Sequence, residues 1–129
     1  MNISANLKAS LAKEISRAHR YNTVFSFIIV KLEGKRGEGL IKKAGLLLRD
    51  SLLRDVDVVG RISGGRFGLI LPQTSRPRAL VACKRIKEAF NEEFGEGVVV
   101  HTGVSTYPFE AMGIEGLLKA AKEDLEKDA

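Results

Sequence analysis

The sequence has few of the residues that usually mark metal, disulfide or nucleic-acid chemistry. Cys83 is the single cysteine among 129 residues, which excludes a disulfide framework and a cysteine-based zinc site. Its setting, A-L-V-A-C-K-R-I, reads as a small buried apolar residue in preference to a nucleophile. His19 and His101 are far apart and have no ligand spacing around them, so no metal centre and no cofactor is expected. Aromatic residues make up 6% of the chain and do not interleave with basic ones, which argues against nucleic acid as a partner. The longest apolar run, Val24 to Val30, is far short of the roughly 18 residues of a membrane span. The N-terminus carries no basic stretch followed by an apolar block. These absences lead us to expect a cytoplasmic protein that does not engage a membrane.

What is present suffices for one core. At 44% hydrophobic, the chain suits a single domain over residues 1–129 and is short for two. Its net charge of +5 is unevenly spread. Residues 31–87 hold 14 Lys and Arg against 5 Asp and Glu, whereas residues 88–129 hold 3 against 10. A cationic middle of this kind fits either solvated helix faces or an anion site.

Hydrophobic spacing orders the elements. Leu7, Leu11, Ile15 and Ala18 form one apolar helical stripe within residues 5–19. V-F-S-F-I-I-V-K-L is β-branched and aromatic, apolar on both faces, and reads as a central strand. Gly34, Gly37 and Gly39 end it, and a helical pattern then runs to about Arg54. V-D-V-V-G-R-I and R-F-G-L-I-L-P read as two strands joined by Ser63, Gly64 and Gly65. T-S-R-P, with Thr74 or Ser75 as cap and Pro77 in the first turn, opens a third helix. A strand, V-V-V-H-T-G-V-S, and an amphipathic helix with Leu117, Leu118, Ala121 and Leu125 close the chain. The order predicts an α+β fold: an antiparallel sheet with a ferredoxin-like βαββαβ core plus N- and C-terminal helices.

With these elements placed, the chain resembles a GGDEF domain, the diguanylate cyclase family that joins two GTP molecules into cyclic di-GMP. The resemblance rests on E-I-S-R-A-H-R-Y at Glu14–Tyr21, F-I-I-V-K-L-E in the first strand, V-H-T-G-V-S-T-Y-P in the late strand, and the interval from Arg61 to Pro72. It implies the nucleotidyl-cyclase palm as the fold. It also places Ser63, Gly64, Gly65, Arg66 and Phe67 at the five signature positions.

Against that pattern the chain departs where the family holds metal. Magnesium ions that activate a hydroxyl and bridge phosphates need carboxylate oxygens. Lys31 stands at the first strand's leading acidic position, Glu33 keeps the second, and Gly65 and Arg66 replace the signature's acidic pair. A unit charge pair at 4 Å is worth about 1 kcal/mol in water and roughly 4 at an effective dielectric of 20, so two cations would repel the ion by more than Glu33 recovers. The family's substrate-binding segment is also reduced here to Gly34, Lys35 and Arg36 before Gly37 and Glu38. The expectation is a degenerate domain that is no enzyme, with no catalytic residue and no metal. Lys31, Glu33 and Arg66 would then form a salt-bridged cluster or receive a phosphate directly.

The resemblance carries over one further site. R-D-V-D at Arg54–Asp57 matches the family's RxxD inhibitory motif, and Arg85 matches a second arginine of that product site. Guanidinium groups pair with phosphate or stack on guanine, and a carboxylate accepts the protons of the base edge. Each residue also has a structural alternative: Arg54 as a helix C-terminal cation, Asp57 as its loop partner, Arg85 as a solvated side chain. Two functions follow. One is a cyclic di-GMP receptor acting through Arg54, Asp57 and Arg85, with ligand cross-linking a homodimer. The other is a nucleotide-free module that dimerises or docks on a signalling protein through the Leu7, Leu11, Ile15 stripe.

Overall fold

The computed structural model describes residues 2–34 and 38–128. The segment Lys35 to Gly37, read above as a shortened substrate loop, lies outside the described residues, as does the side chain of Glu38. The elements run α1 (Ala5–Tyr21), β1 (Phe25–Gly34), α2 (Glu38–Leu47), a π-helical turn (Leu48–Leu52), β2 (Val58–Ile62), β3 (Arg66–Pro72), α3 (Arg76–Phe94), β4 (Val98–Tyr107) and α4 (Ile114–Lys127). The four strands form one sheet in the order β2-β3-β1-β4, with antiparallel neighbours throughout. This is the α+β antiparallel sheet with a βαββαβ core that the order of elements predicts.

Local chemistry sets the ends of the helices. Ser4 caps α1, its Oγ accepting the Leu7 N–H at 3.2 Å, and Asn22 closes it in the left-handed region at φ 55°. His19 and Arg20 lie in the last turn of α1, where a cation complements the exposed carbonyls. At α3 the cap position is Ser75, which makes no side-chain capping bond. Thr74 is used elsewhere: its Oγ1 donates to the Pro72 carbonyl at 2.9 Å. The second helix is shorter than its periodicity suggests, because the π turn and an extended Leu53 (ψ 152°) end it before Arg54.

Both faces of β1 are covered. Ile28, Val30 and Leu32 pack with Ile41, Ala44 and Leu48 and with Ala79, Cys83, Ile86 and Phe90 of α3. Phe25, Phe27 and Ile29 pack with Leu7, Leu11 and Ala18 of α1 and Leu117, Ala121 and Leu125 of α4. Each such side chain, fully buried, contributes about 1.5–3 kcal/mol. Cys83 sits inside the first cluster, where burial pushes its thiol pKa up, as suits an inert packing residue. Leu7 and Leu11 are at most 1% exposed. The stripe expected to meet a partner is therefore the α1 contribution to the core.

A row of glycines lets the helices sit close to the sheet. Gly60 pairs with Gly68, Gly68 with Ile29, and Ile29 with Gly103 across all four strands. A Cβ at Gly60 or Gly68 would lie 2.6 Å from Leu7 side-chain atoms, and one at Gly103 would collide with the Ala121 carbonyl and sit 2.5 Å from the Leu125 amide. Overpacking at a rigid backbone contact costs about 1–3 kcal/mol. Gly103→Ala is therefore expected to lower stability by about 3 kcal/mol in urea unfolding. Gly39→Ala, which meets no atom within 4 Å, should leave it unchanged or slightly raised.

One buried charge runs against the fold. Glu14 is 8% exposed, its Oε2 has no hydrogen-bond partner among the described residues, and Arg17 approaches its other oxygen only to 3.7 Å. Burial pushes its carboxyl pKa up, with Arg17 opposing. A raised carboxylate pKa means that the folded state prefers the neutral acid, so stability falls as pH rises through the ordinary carboxylate range. Glu14→Gln is expected to add roughly 1 kcal/mol at pH 7 and nothing below pH 4, read as the change in unfolding midpoint.

Candidate functional site: two cationic surfaces on opposite sheet faces

The first site forms where the π turn ends. An extended Leu53 carries the chain into Arg54, and the loop back to β2 is closed by the Asp57 N–H, which donates to the Arg54 carbonyl at 3.0 Å. Asp57 turns both carboxylate oxygens on Arg54. Oδ1 accepts from Nη2 at 2.8 Å and from Nε at 3.1 Å, and Oδ2 accepts from the Arg54 backbone N–H at 2.9 Å. Nη2 also donates to the Pro72 carbonyl at 3.1 Å and to Thr74 Oγ1 at 3.0 Å. The bond to Asp57 raises the Arg54 pKa. With its side chain 3% exposed, Asp57 holds Arg54 rather than presenting a free acceptor to a base. Nη1 of Arg54 has no protein partner among the described residues.

Arg54 and Asp57 line a cleft of about 200 Å³ with Leu52, Leu53, Thr74 and, from α3, Arg78 and Arg85. All three residues read as a ligand site thus meet in one place, because α3 runs back over the end of the π turn. Arg78 joins them and was missed by sequence. Its signal was its spacing of seven from Arg85, which puts both on one helical face.

The second site lies on the other face, at the end of β1. Lys31 pairs directly with Arg66 of β3 and with His101 of β4, so the three side chains stand in a row across neighbouring strands. Glu33, two residues further along the same face, answers them: Lys31 Nζ lies 3.1 Å from its Oε1 and His101 Nε2 lies 3.2 Å from its Oε2. These bonds, Lys31 first, hold the Glu33 carboxyl below its usual pKa. His101 Nδ1 faces the Asp128 carbonyl at 3.3 Å. Both ring nitrogens therefore lie within hydrogen-bond reach of an oxygen. Arg66 donates from Nε to the Ser63 carbonyl at 2.7 Å.

The five signature positions separate by role. Gly64 and Gly65 make the turn with φ of 80° and 71°, a region open to glycine. Ser63 accepts the Asn2 N–H at 3.3 Å and donates its own N–H to the Asn2 carbonyl at 2.9 Å. Arg66 joins the cationic row, and Phe67 is buried at 2% exposure beneath the Arg61 guanidinium, 5.5 Å from its ring centre. Lys122 and Glu126 of α4 complete the cavity of about 270 Å³ that contains the row. Among the described residues no three His, Cys, Asp or Glu side chains converge as a metal site, and the one carboxylate of the row is engaged by Lys31 and His101. This donor set does not fit a divalent cation.

An antiparallel palm with helices on both faces and a glycine hairpin opposite the end of its first strand defines a nucleotidyl-cyclase type of domain. The chain belongs to the family described as diguanylate cyclase, GGDEF domain, which matches residues 4–128. The GGDEF domain of YfiN (or TpbB) from Pseudomonas aeruginosa is similar with a TM-score of 0.84 at 18% identity, over 95% of this chain and 86% of that one. The active GGEEF domain of a diguanylate cyclase from Vibrio cholerae is similar with a TM-score of 0.83 at 21% identity, over 95% and 86%. The GGDEF domain of DgcB from Caulobacter crescentus, in complex with c-di-GMP, has a TM-score of 0.76 at 12% identity, over 94% and 81%. At these identities the likeness establishes the fold. No curated protein matches the chain. No helix among the described residues is long and apolar enough to cross a membrane.

The expectation of a chain that is no enzyme is corrected here. Its family is one of diguanylate cyclases, matched over nearly the whole chain, and its fold is that of an active member. The charges at Lys31 and Arg66 do not place the chain outside that family.

The second site is tied down by the C-terminus. Asp128 accepts from Lys87 Nζ at 2.8 Å and from the Thr102 N–H at 2.9 Å. Burial pulls its pKa upward, but Lys87 and the Thr102 amide outweigh that and leave it below the ordinary value. A depressed carboxylate pKa contributes stability that is full above the unfolded value, about 3.9, and lost as pH falls through the folded one. Asp128→Asn should therefore be less stable than the parent at pH 7 and converge on it below pH 3, in urea midpoints across the pH series.

Proposed function

We propose that this GGDEF domain binds cyclic di-GMP in the cleft of Arg54, Arg78 and Arg85, as a receptor for that ligand. The observation that carries the reading is the locked Arg54. Asp57 engages Nε and Nη2 and leaves Nη1 beside two exposed arginines of α3. A guanidinium already held by a carboxylate loses little side-chain freedom when it binds a phosphodiester, and three such groups around one opening suit a dianion. Arg54 and Arg85 meet phosphate or stack on guanine, Arg78 adds a second phosphate contact, and Asp57 acts as a positioning residue. The bound ligand of the Caulobacter domain is the same compound.

A cleft of about 200 Å³ is smaller than the roughly 300–1,000 Å³ of most organic-ligand pockets, so it seats one half of a twofold-symmetric ligand. The other half is then free for a second copy, which makes a ligand-linked homodimer the expected assembly. Docking on a signalling protein through the α1 stripe has no such support, since Leu7 and Leu11 are buried and Ile15 is half-buried against the same core.

Calorimetry with cyclic di-GMP tests this. The parent should bind saturably, and Arg54→Ala and Arg85→Ala should each weaken binding about tenfold or more, as expected for a lost charge-assisted bond. Asp57→Asn should weaken it less while lowering the pH-independent order of Arg54. No heat at millimolar ligand, or equal affinity in all variants, overturns the reading.

A further inference from the structure

We infer that Thr74 sets Arg54 against the two arginines of α3, as a positioning residue that acts through Arg54 and not on the ligand. The inference rests on the reading of that cleft as a cyclic di-GMP site. Asp57 alone does not set this spacing, because it lies in the same loop as Arg54 and holds the guanidinium only relative to that loop. Thr74 stands 20 residues away in sequence, in the turn between β3 and α3. It lies just ahead of Arg76, where the helix that carries Arg78 and Arg85 begins. The bond from Arg54 to Thr74 therefore ties the loop to the helix. The Arg54 side chain is 53% exposed, and an arginine so open to solvent gives up much rotamer freedom on binding an anion unless it is held beforehand.

Three buried hydroxyls hold Thr74 in turn. Each has one proton to give, and the acceptors fix where it goes. Ser26 Oγ lies 2.8 Å from the Thr74 carbonyl, which only accepts, so the Ser26 proton is spent there. Thr106 Oγ1, directly opposite on β4, then donates to Ser26 Oγ across 2.9 Å. Thr74 Oγ1 donates to the Pro72 carbonyl at 2.9 Å, which leaves its oxygen to accept from Arg54 Nη2 at 3.0 Å. Ser26 and Thr106 are at most 1% exposed and Thr74 is 5% exposed, so an unbonded hydroxyl at any of them would be costly. No proton of the set remains for a ligand. Gln73, between Pro72 and Thr74, is held at φ 50°, a left-handed conformation uncommon for a residue with a Cβ. The turn it makes brings the Pro72 carbonyl and the Thr74 hydroxyl to the same nitrogen of Arg54. Capping of α3 does not require this, since Ser75 occupies the cap position.

The test pairs calorimetry with cyclic di-GMP and, in the ligand-free protein, solvent exchange of the Arg54 Nε–H followed by NMR. Thr74→Val keeps the shape of the side chain and removes the hydroxyl. It should weaken binding about tenfold, as for a lost hydrogen bond to a charged group, and speed the exchange. Thr74→Ser keeps the hydroxyl and should restore both to parental values. Ser105→Ala removes a buried hydroxyl beneath α4, bonded to the Leu117 carbonyl at 2.8 Å. It should lower the urea midpoint and leave affinity and exchange unchanged, which separates positioning from stability. Equal affinity or equal exchange in Thr74→Val and the parent, or a loss in Thr74→Ser as large as in Thr74→Val, overturns the inference and leaves the cleft standing as a cyclic di-GMP site. A parent that does not bind, or Arg54→Ala binding as tightly as the parent, overturns the reading of the cleft and the inference with it.

Discussion

The pairing of β1 with β3 on one side and β4 on the other is the constraint from which the rest of the structure follows. Its register aligns Gly68, Ile29 and Gly103 at one level and Arg66, Lys31 and His101 at the next on the same face. Because side chains alternate with period two, a slip by one residue would turn Ile29 and Lys31 to the other face together. The first level would then lose the close seat of α1 and α4. The second would bury a lysine among Ile28, Val30 and Leu32. The apolar core and the charged row are thus held in register by the same hydrogen-bond ladder.

Charge is distributed around that sheet with a consistent division of labour. Three acidic residues of the C-terminal third, Glu110, Asp124 and Asp128, form internal ties. Asp124 accepts the Val104 N–H at 2.8 Å and Asp128 the Thr102 N–H at 2.9 Å, so α4 satisfies backbone donors along the outer edge of β4. Arg76 ties the same region, reaching Glu110 at 2.8 Å and Asp124 at 3.3 Å. The other edge, at β2, is met by the N-terminal residues, where the Ser4 N–H reaches the Arg61 carbonyl at 3.0 Å. Exposed edges invite pairing with other chains, and both are occupied here from within. Cations of the middle segment line the two surfaces, Arg54, Arg78 and Arg85 on one face and Lys31 and Arg66 on the other, where Lys122 of α4 joins them.

Much of this was legible from residue order. The apolar run of β1 announced a strand buried on both faces, the paired glycines announced the hairpin, and helical spacing placed α1, α3 and α4. The resemblance to the family named Arg54, Asp57 and Arg85 together, and the structure brings them to one cleft; of the two readings open for Asp57, the folded loop shows the pairing with Arg54. The α1 stripe was misread because an amphipathic helix looks alike whether its apolar side meets its own sheet or a partner. The exclusion of enzymatic activity failed for a different reason. It weighed a few charges at one site, whereas family membership is carried by the whole chain.

Composition and periodicity determined the elements, their order and the α+β class, since these depend on local spacing and on which residues must leave water. Tertiary structure decided which distant residues became neighbours. Lys31, Arg66, His101 and Lys122 come from three strands and a helix, and Arg54 meets Arg85 only because α3 folds back across the π turn. No local pattern encodes such meetings, because they arise from the register of the ladder and the packing of helices on it.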